Sequence, residues 1–329
     1  MDRMSRNDPP LPNPPACTFG LNPLLLGTGC CTVAALGYTA ANICLRILTV
    51  RQDPAWILCV KESVAVVLVG PWLLVQAARR QRVLPGKGTL AALAAVGLAT
   101  HLGGSLPWIW AMGVVGLAIT VPASLGVNLV VAALFGWLLL RERVSVQSGL
   151  AIAVVIVSVL LLSAGAGEVN DSILATASVA TGPFWIGLAV ALSCASGIVW
   201  AALNVAIRRS VTRGVSIWLI AFIVPAMGAS SLAVVSLLRH GLWGLLATPG
   251  EDFALMLVCG LFNLVAYLAI IKGLQMTSIV HANVVSASQA AMAALAGLWF
   301  FQETSSPSLV AGLCLTVAGM ALIDRPVPA

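Results

Sequence analysis

Hydrophobic residues run along this chain in long uninterrupted stretches, broken by short polar connections. Ten apolar segments can be marked, at 22–45, 55–78, 89–111, 117–139, 145–164, 184–206, 215–238, 253–271, 279–301 and 308–323. About 20 residues at a rise of about 1.5 Å each cross a hydrocarbon layer of about 30 Å, so each segment is long enough, or nearly so, to span a bilayer. The pattern predicts an all-α polytopic membrane protein with ten transmembrane helices. Residues 1–20 are rich in Pro and Asn and lack the charged, apolar and small-residue zones of a cleaved signal. They are expected to form a disordered tail, as are residues 325–329 at the other end.

The chain also repeats itself. Displacing it so that Ala132 falls on Ala293, a shift of 161 (293 − 132), sets Ala133 on Ala294, Leu134 on Leu295, Gly136 on Gly297, Glu142 on Glu303 and Ser145 on Ser306. A shift of 162 (204 − 42) sets Asn42 on Asn204, Arg46 on Arg208, Arg51 on Arg213 and Trp56 on Trp218. Small residues coincide easily in an apolar chain, but polar and rare residues at matched spacing do not. The expected organisation is a first five-helix repeat over 21–165, an external linker over 166–183 and a second five-helix repeat over 184–324. Five is odd, so the second copy enters the membrane from the opposite side. Inverted repeats of this kind are an architecture of secondary transporters, in which two halves open one central site alternately to each face.

Composition removes the alternatives to a membrane protein. Charged residues make up 9 % of the chain and apolar ones 60 %, with a mean hydropathy of +1.03, against about 25 % and about half in soluble domains. The net charge of +6 would point a soluble protein toward nucleic acid, but here it is distributed by loop. Arg3, Arg6, Arg79, Arg80, Arg82, Lys87, Arg141, Arg143, Arg208, Arg209, Arg213, Lys272 and Arg325 fall on the side of the termini, and only Arg46, Arg51 and Arg239 on the other. The excess of positive charge predicts that both termini are cytoplasmic and that the protein is multi-pass in the cell (inner or plasma) membrane. The eight cysteines show no disulfide or metal spacing and read as small hydrophobes.

The small-residue-rich fourth and ninth segments end in Leu138-Leu139-Leu140-Arg141-Glu142-Arg143 and Trp299-Phe300-Phe301-Gln302-Glu303-Thr304. Each is followed by a Ser-containing turn and a Gly/Ala-rich helix. In these features the chain resembles EamA-type members of the drug/metabolite transporter superfamily over about residues 20–324. It departs from an even repeat at Ala151 against Gly312 and at Arg141 against Gln302. The resemblance implies a cavity lined by helices one, three, four, six, eight and nine, with five and ten peripheral. It also implies transport of metabolites, amino-acid-like ones among them, in the export direction.

Candidate chemistry lies in polar residues inside apolar segments, which mark functional sites. Tyr38, Asn42 and Arg46 share one face of the first helix, and Trp200, Asn204 and Arg208 the matching face of the sixth. The asparagines either line a cavity or bridge helices, and the arginines near the helix ends suit headgroup anchoring. The third segment contains Thr100-His101-Leu102-Gly103-Gly104-Ser105-Leu106-Pro107, where Gly-Gly and Pro weaken the helix. There His101 matches Asn263 and Ser105 matches Tyr267 in the repeat, and Asn128 matches Gln289. Ser124, His281, Asn283 and Ser286 add polar positions on the fourth and ninth segments, and Pro122 is a candidate bend. Lys61 and Glu62 are adjacent in the second segment, so each is expected to find its partner elsewhere, with Arg46 the candidate for Glu62; the pair serves ion coupling or structure. The matching residues, Ile223 and Val224, are apolar. Glu142 and Glu303 sit at boundaries and suit helix capping.

No hydrolase, metalloprotease or nucleotide-loop motif is present, so no enzymatic activity, cofactor or metal is expected. The function expected is that of a permease moving a small organic metabolite by alternating access. The alternative is a membrane-embedded enzyme or a non-transporting subunit. The expected partners are a small-molecule substrate and the lipid bilayer, without nucleic acid; a homodimer is left open.

Overall fold

The computed structural model describes residues 23–79, 85–140, 182–286, 288–302 and 306–322, with isolated positions between 147 and 161. The fifth apolar segment, the two tails, most of the linker, Glu142 and Glu303 lie outside the described residues. Every described element is a helix: α1 (Pro23–Leu48), α2 (Pro54–Ala78), α3 (Lys87–Ala99), a π-helical turn (Thr100–Ser105), α4 (Leu106–Val115), α5 (Leu117–Leu140), α6 (Pro183–Thr212), α7 (Ile217–Leu246), α8 (Gly250–Met276), α9 (Ile279–Ser286), α10 (Ser288–Phe300) and α11 (Pro307–Leu322). Among the described residues, 7 helical stretches are long and apolar enough to cross a membrane, with Lys87–Val115 running as one stretch through the π turn.

Local chemistry fixes where these helices start and stop. Proline opens α1, α2, α6 and α11, where its missing N–H is one that no helix could use. At α2 the Asp53 carboxylate also accepts from the Ala55 and Trp56 amides, at 2.9 and 3.3 Å, a side-chain cap on the first turn. Between α4 and α5, Gly116 has φ 77°, which a side chain would resist, so the chain reverses there within one residue. Pro122 lies inside α5 without ending it.

The packing crosses between the two halves of the sequence. Helix α1 lies chiefly against α8, α2 against α7, α6 against both α4 and α5, and α5 also against α9 and α10. Interior layers are aliphatic, with Ile57, Met112, Leu117, Ile207, Ile220 and Leu274 fully buried. At the tightest approach, a Cβ on Gly197 of α6 would meet the Ser124 carbonyl of α5, so the two backbones pass in contact.

Inside and outside are reversed relative to a soluble protein. Leu74, Phe184, Leu238 and Trp299 are 73, 72, 83 and 84 % exposed, whereas Asn42, Lys61, Glu62, His101 and Asn128 are at most 7 % exposed. In lipid the apolar exterior carries no penalty, and helices associate through close van der Waals contact and interhelical hydrogen bonds rather than through exclusion of water. That makes the buried polar residues the specific part of the interior.

Candidate functional site

A cavity of about 170 Å³ collects most of those polar side chains. Tyr38 and Asn42 come from α1, Lys61 and Glu62 from α2, Thr100, His101 and Ser105 from the π turn, and Trp108 from α4. Asn128 comes from α5, Trp200 and Asn204 from α6, Asn263 and Tyr267 from α8, Asn283 and Ser286 from α9, and Gln289 from α10. Leu58, Val224 and Pro225 contribute apolar wall from α2 and α7. The second and seventh segments therefore line the cavity alongside the six that the family resemblance implies.

At the π turn the backbone is arranged around a weak point. Leu106 donates its amide to the carbonyl of His101, five residues back, and Pro107 has no amide to donate. The Gly104 carbonyl accepts the Ser196 hydroxyl of α6 at 2.8 Å, which is how such a break survives at membrane depth. The His101 ring lies over Gly228 of α7, where an added Cβ would stand 2.5 Å from its Cδ2.

The charged residues form one cluster at the α2–α3–α8 corner. Lys61 Nζ lies 2.7 Å from Glu62 Oε1, His101 Nε2 lies 3.3 Å from the same oxygen, and Lys61 donates to Asn263 Oδ1 at 3.2 Å. This corrects two sequence expectations. Glu62 pairs with its own neighbour in the chain, because the four-carbon lysine stem curls back where a shorter side chain could not. Its second partner is His101 rather than Arg46. The Arg46 guanidinium instead lies 5.5 Å over the Phe301 ring, and Arg46 does not line the cavity.

Across the cavity the residues are amides and aromatics. Asn204 donates to Asn283 Oδ1 at 3.0 Å and approaches Asn128 Oδ1 at 3.5 Å, so it bridges helices and lines the cavity at once. Trp108 donates to Ser124 Oγ at 3.1 Å and meets the Trp200 ring edge-on at 5.3 Å. Arg208 donates to the Leu274 carbonyl, tying the end of α6 to α8. The buried Asn42 Nδ2, Asn283 Nδ2, Tyr267 hydroxyl and Ser286 hydroxyl have no partner among the described residues. An unsatisfied buried donor costs about 1–3 kcal/mol, so these groups are suited to a solute that accepts hydrogen bonds. Asn283 and Ser286 stood outside the repeat-matched set; their spacing of three, continued to Gln289, is the signal that places all of them on one helical face. Trp108 carried no such signal.

The α1–α2 and α7–α8 connections are bridged by polar contacts. Arg51 and Gln52 reach Asp252 at 3.3 and 2.8 Å, Arg239 reaches Asp53 at 3.2 Å, and the Trp56 indole donates to Thr248 at 2.9 Å. Elsewhere His281 Nε2 is 2.9 Å from Thr28 Oγ1, away from the cavity lining. Every described cysteine is a free thiol, and among the described residues no cluster of metal-ligating side chains converges.

Long apolar helices with outward-facing hydrophobes and a polar interior define a multi-pass membrane protein. Its family follows from the two halves separately: the sequence profile of the EamA-like transporter family matches residues 25–164 and again residues 187–324, and the chain belongs to that family. No curated protein matches it in sequence. A solved crystal structure, described only as that of a protein, superposes with a TM-score of 0.62 at 15 % identity, covering 90 % of this chain and 95 % of the other. At that identity the likeness is one of fold.

Proposed function

We propose that this protein is a secondary transporter that moves a small, amino-acid-like organic metabolite across the cell membrane by alternating access, in the export direction. The observation that carries the reading is a buried, amide-rich cavity to which both EamA repeats contribute, with donors in its wall that have no partner among the described residues. Ten helices in two inverted five-helix repeats, with both termini cytoplasmic, are part of the same proposal. The packing supports them. Exchanging helix one for six, two for seven, three for eight and four for nine turns the α1–α8 contact into that between α6 and the α3–α4 stretch, and returns the α2–α7 and α5–α10 contacts to themselves. A two-fold relation between the repeats has this property.

The test is uptake and efflux of a broad metabolite panel in proteoliposomes, under proton gradients of either sign. Movement of at least one solute, saturable and lost on substitution of cavity amides, is expected. A protein that moves no member of the panel, while binding and converting one of them, would belong to the membrane-embedded enzymes instead.

A further inference from the structure

Glu62 and His101 meet in a way that fixes how many protons they hold. His101 Nδ1 lies 2.8 Å from the Gly97 carbonyl. A carbonyl oxygen only accepts, so Nδ1 carries a hydrogen. The other nitrogen, Nε2, faces Glu62 Oε1 at 3.3 Å. With Nδ1 protonated, Nε2 of a neutral imidazole is a lone pair, and a lone pair does not hold a carboxylate oxygen at contact distance. One further proton must lie between them, on the imidazole as imidazolium or on the carboxyl as acid.

We propose that Glu62 and His101 share a single exchangeable proton, and that this proton crosses in exchange for the solute; the second part rests on the transport reading above. With the proton in place, Lys61, Glu62 and His101 together carry one positive charge. Its release to water in the cavity leaves a neutral imidazole beside a carboxylate still paired with Lys61, and the sum falls to zero. The contact between α2 and the π turn then loses its hydrogen bond, while Lys61 keeps both Glu62 and Asn263.

The surroundings suit such a pair. Glu62 and His101 are 3 and 4 % exposed, and both line the cavity. From α1 the titratable group within electrostatic reach of Glu62 is Tyr38, and from α8 they are Tyr267 and Cys259. Helix α7 presents Gly228 to the imidazole, and α6 presents the Ser196 hydroxyl to the π turn. The cluster also touches both repeats, since Gly228, against the His101 ring, and Asn263, bonded to Lys61, belong to the second. The matching site in that repeat has Ile223, Val224 and Asn263, so the proton site exists once per chain rather than twice.

The chain has 3 histidines, so the variant His240→Gln/His281→Gln leaves His101 alone for nitrogen NMR of the full chain in nanodiscs. The expected result is an imidazole signal that follows pH along a curve displaced once Glu62→Gln is added. A signal indifferent to pH, or a curve that Glu62→Gln leaves unchanged, overturns the shared proton. The second measurement uses whichever solute the liposome panel identifies. A proton gradient is expected to drive its accumulation in the wild type, and Glu62→Gln is expected to lower gradient-driven accumulation relative to counterflow. Wild-type counterflow indifferent to the gradient overturns the coupling. If no solute moves, the transport reading fails and the coupling with it, while the NMR result still decides the shared proton.

Discussion

At one corner of the cavity Lys61, Glu62, His101 and Asn263 hold two formal charges and an imidazole within a few ångströms; at the other, Asn128, Asn204, Asn283 and Gln289 hold none. The amide corner has counterparts in both repeats, Asn42 with Asn204 and Asn128 with Gln289, and belongs to the duplicated plan. The charged corner belongs to one copy. A neutral amide that loses a partner turns to another or to the solute, whereas a buried charge that loses its counter-charge is left uncompensated. The two corners should therefore respond to substitution on different scales and in different readouts.

The largest effect is expected at Lys61. Lys61→Met leaves Glu62 without its closest partner, and breaking a buried pair in this way costs about 3–5 kcal/mol. Thermal unfolding in detergent should show it, with much of the loss recovered in Lys61→Met/Glu62→Leu. A Lys61→Met protein as stable as the wild type would put the charged corner on the same footing as the amides. Next in size is Gly228→Ala, whose methyl group meets the His101 ring; overpacking of this kind costs about 1–3 kcal/mol, and the unfolding midpoint should fall, while a like change at half-buried Gly113, where an added Cβ meets nothing within 4 Å, should not lower it.

Smaller stability effects with larger functional ones are expected among the amides. Asn204→Ala removes an interhelical hydrogen bond, about 0.6 kcal/mol on average in a membrane protein, and Asn42→Ala removes an amide donor that has no partner among the described residues. Both should lower transport with membrane abundance unchanged; parallel loss of abundance and transport would assign both residues to helix packing. The smallest effect is expected where the α1–α2 and α7–α8 connections meet. Arg51 is half exposed in its pair with Asp252, so Arg51→Gln should change stability by less than about 1 kcal/mol and the difference should shrink in high salt.

Much of the fold was legible because lipid reads the chain by length and hydropathy. The segment expected at 55–78 is the helix Pro54–Ala78, and that expected at 117–139 is Leu117–Leu140. Several long helices run further than hydropathy reached, as at Thr212 and Leu246, since polar residues at a helix end still satisfy the backbone. Among the pairs matched by the repeat, Asn42 with Asn204, His101 with Asn263, Ser105 with Tyr267 and Asn128 with Gln289 reach the cavity wall, whereas Arg46 with Arg208 does not. What could not be read was which side chains meet. Helical geometry argues against contact between neighbours such as Lys61 and Glu62, and only the structure shows the lysine stem folded back. Glu62 and His101 lie on different helices, and no periodicity encodes a distance between helices. Trp108, an aromatic in an apolar run, looked like any other wall residue until its indole was seen on Ser124.

The π turn at Thr100–Ser105 holds one residue more than an α-helical turn would need, and this makes the third span adjustable by a single codon. Removing one glycine of the Gly103-Gly104 pair would let the ladder close regularly and swing everything after it by about 100°. Trp108 would leave Ser124 and Trp200, and His101 would stay over Gly228. In such a shortened chain the aromatic wall and the imidazole would face different partners, so the extra residue acts as the register mark that keeps the two in one chamber.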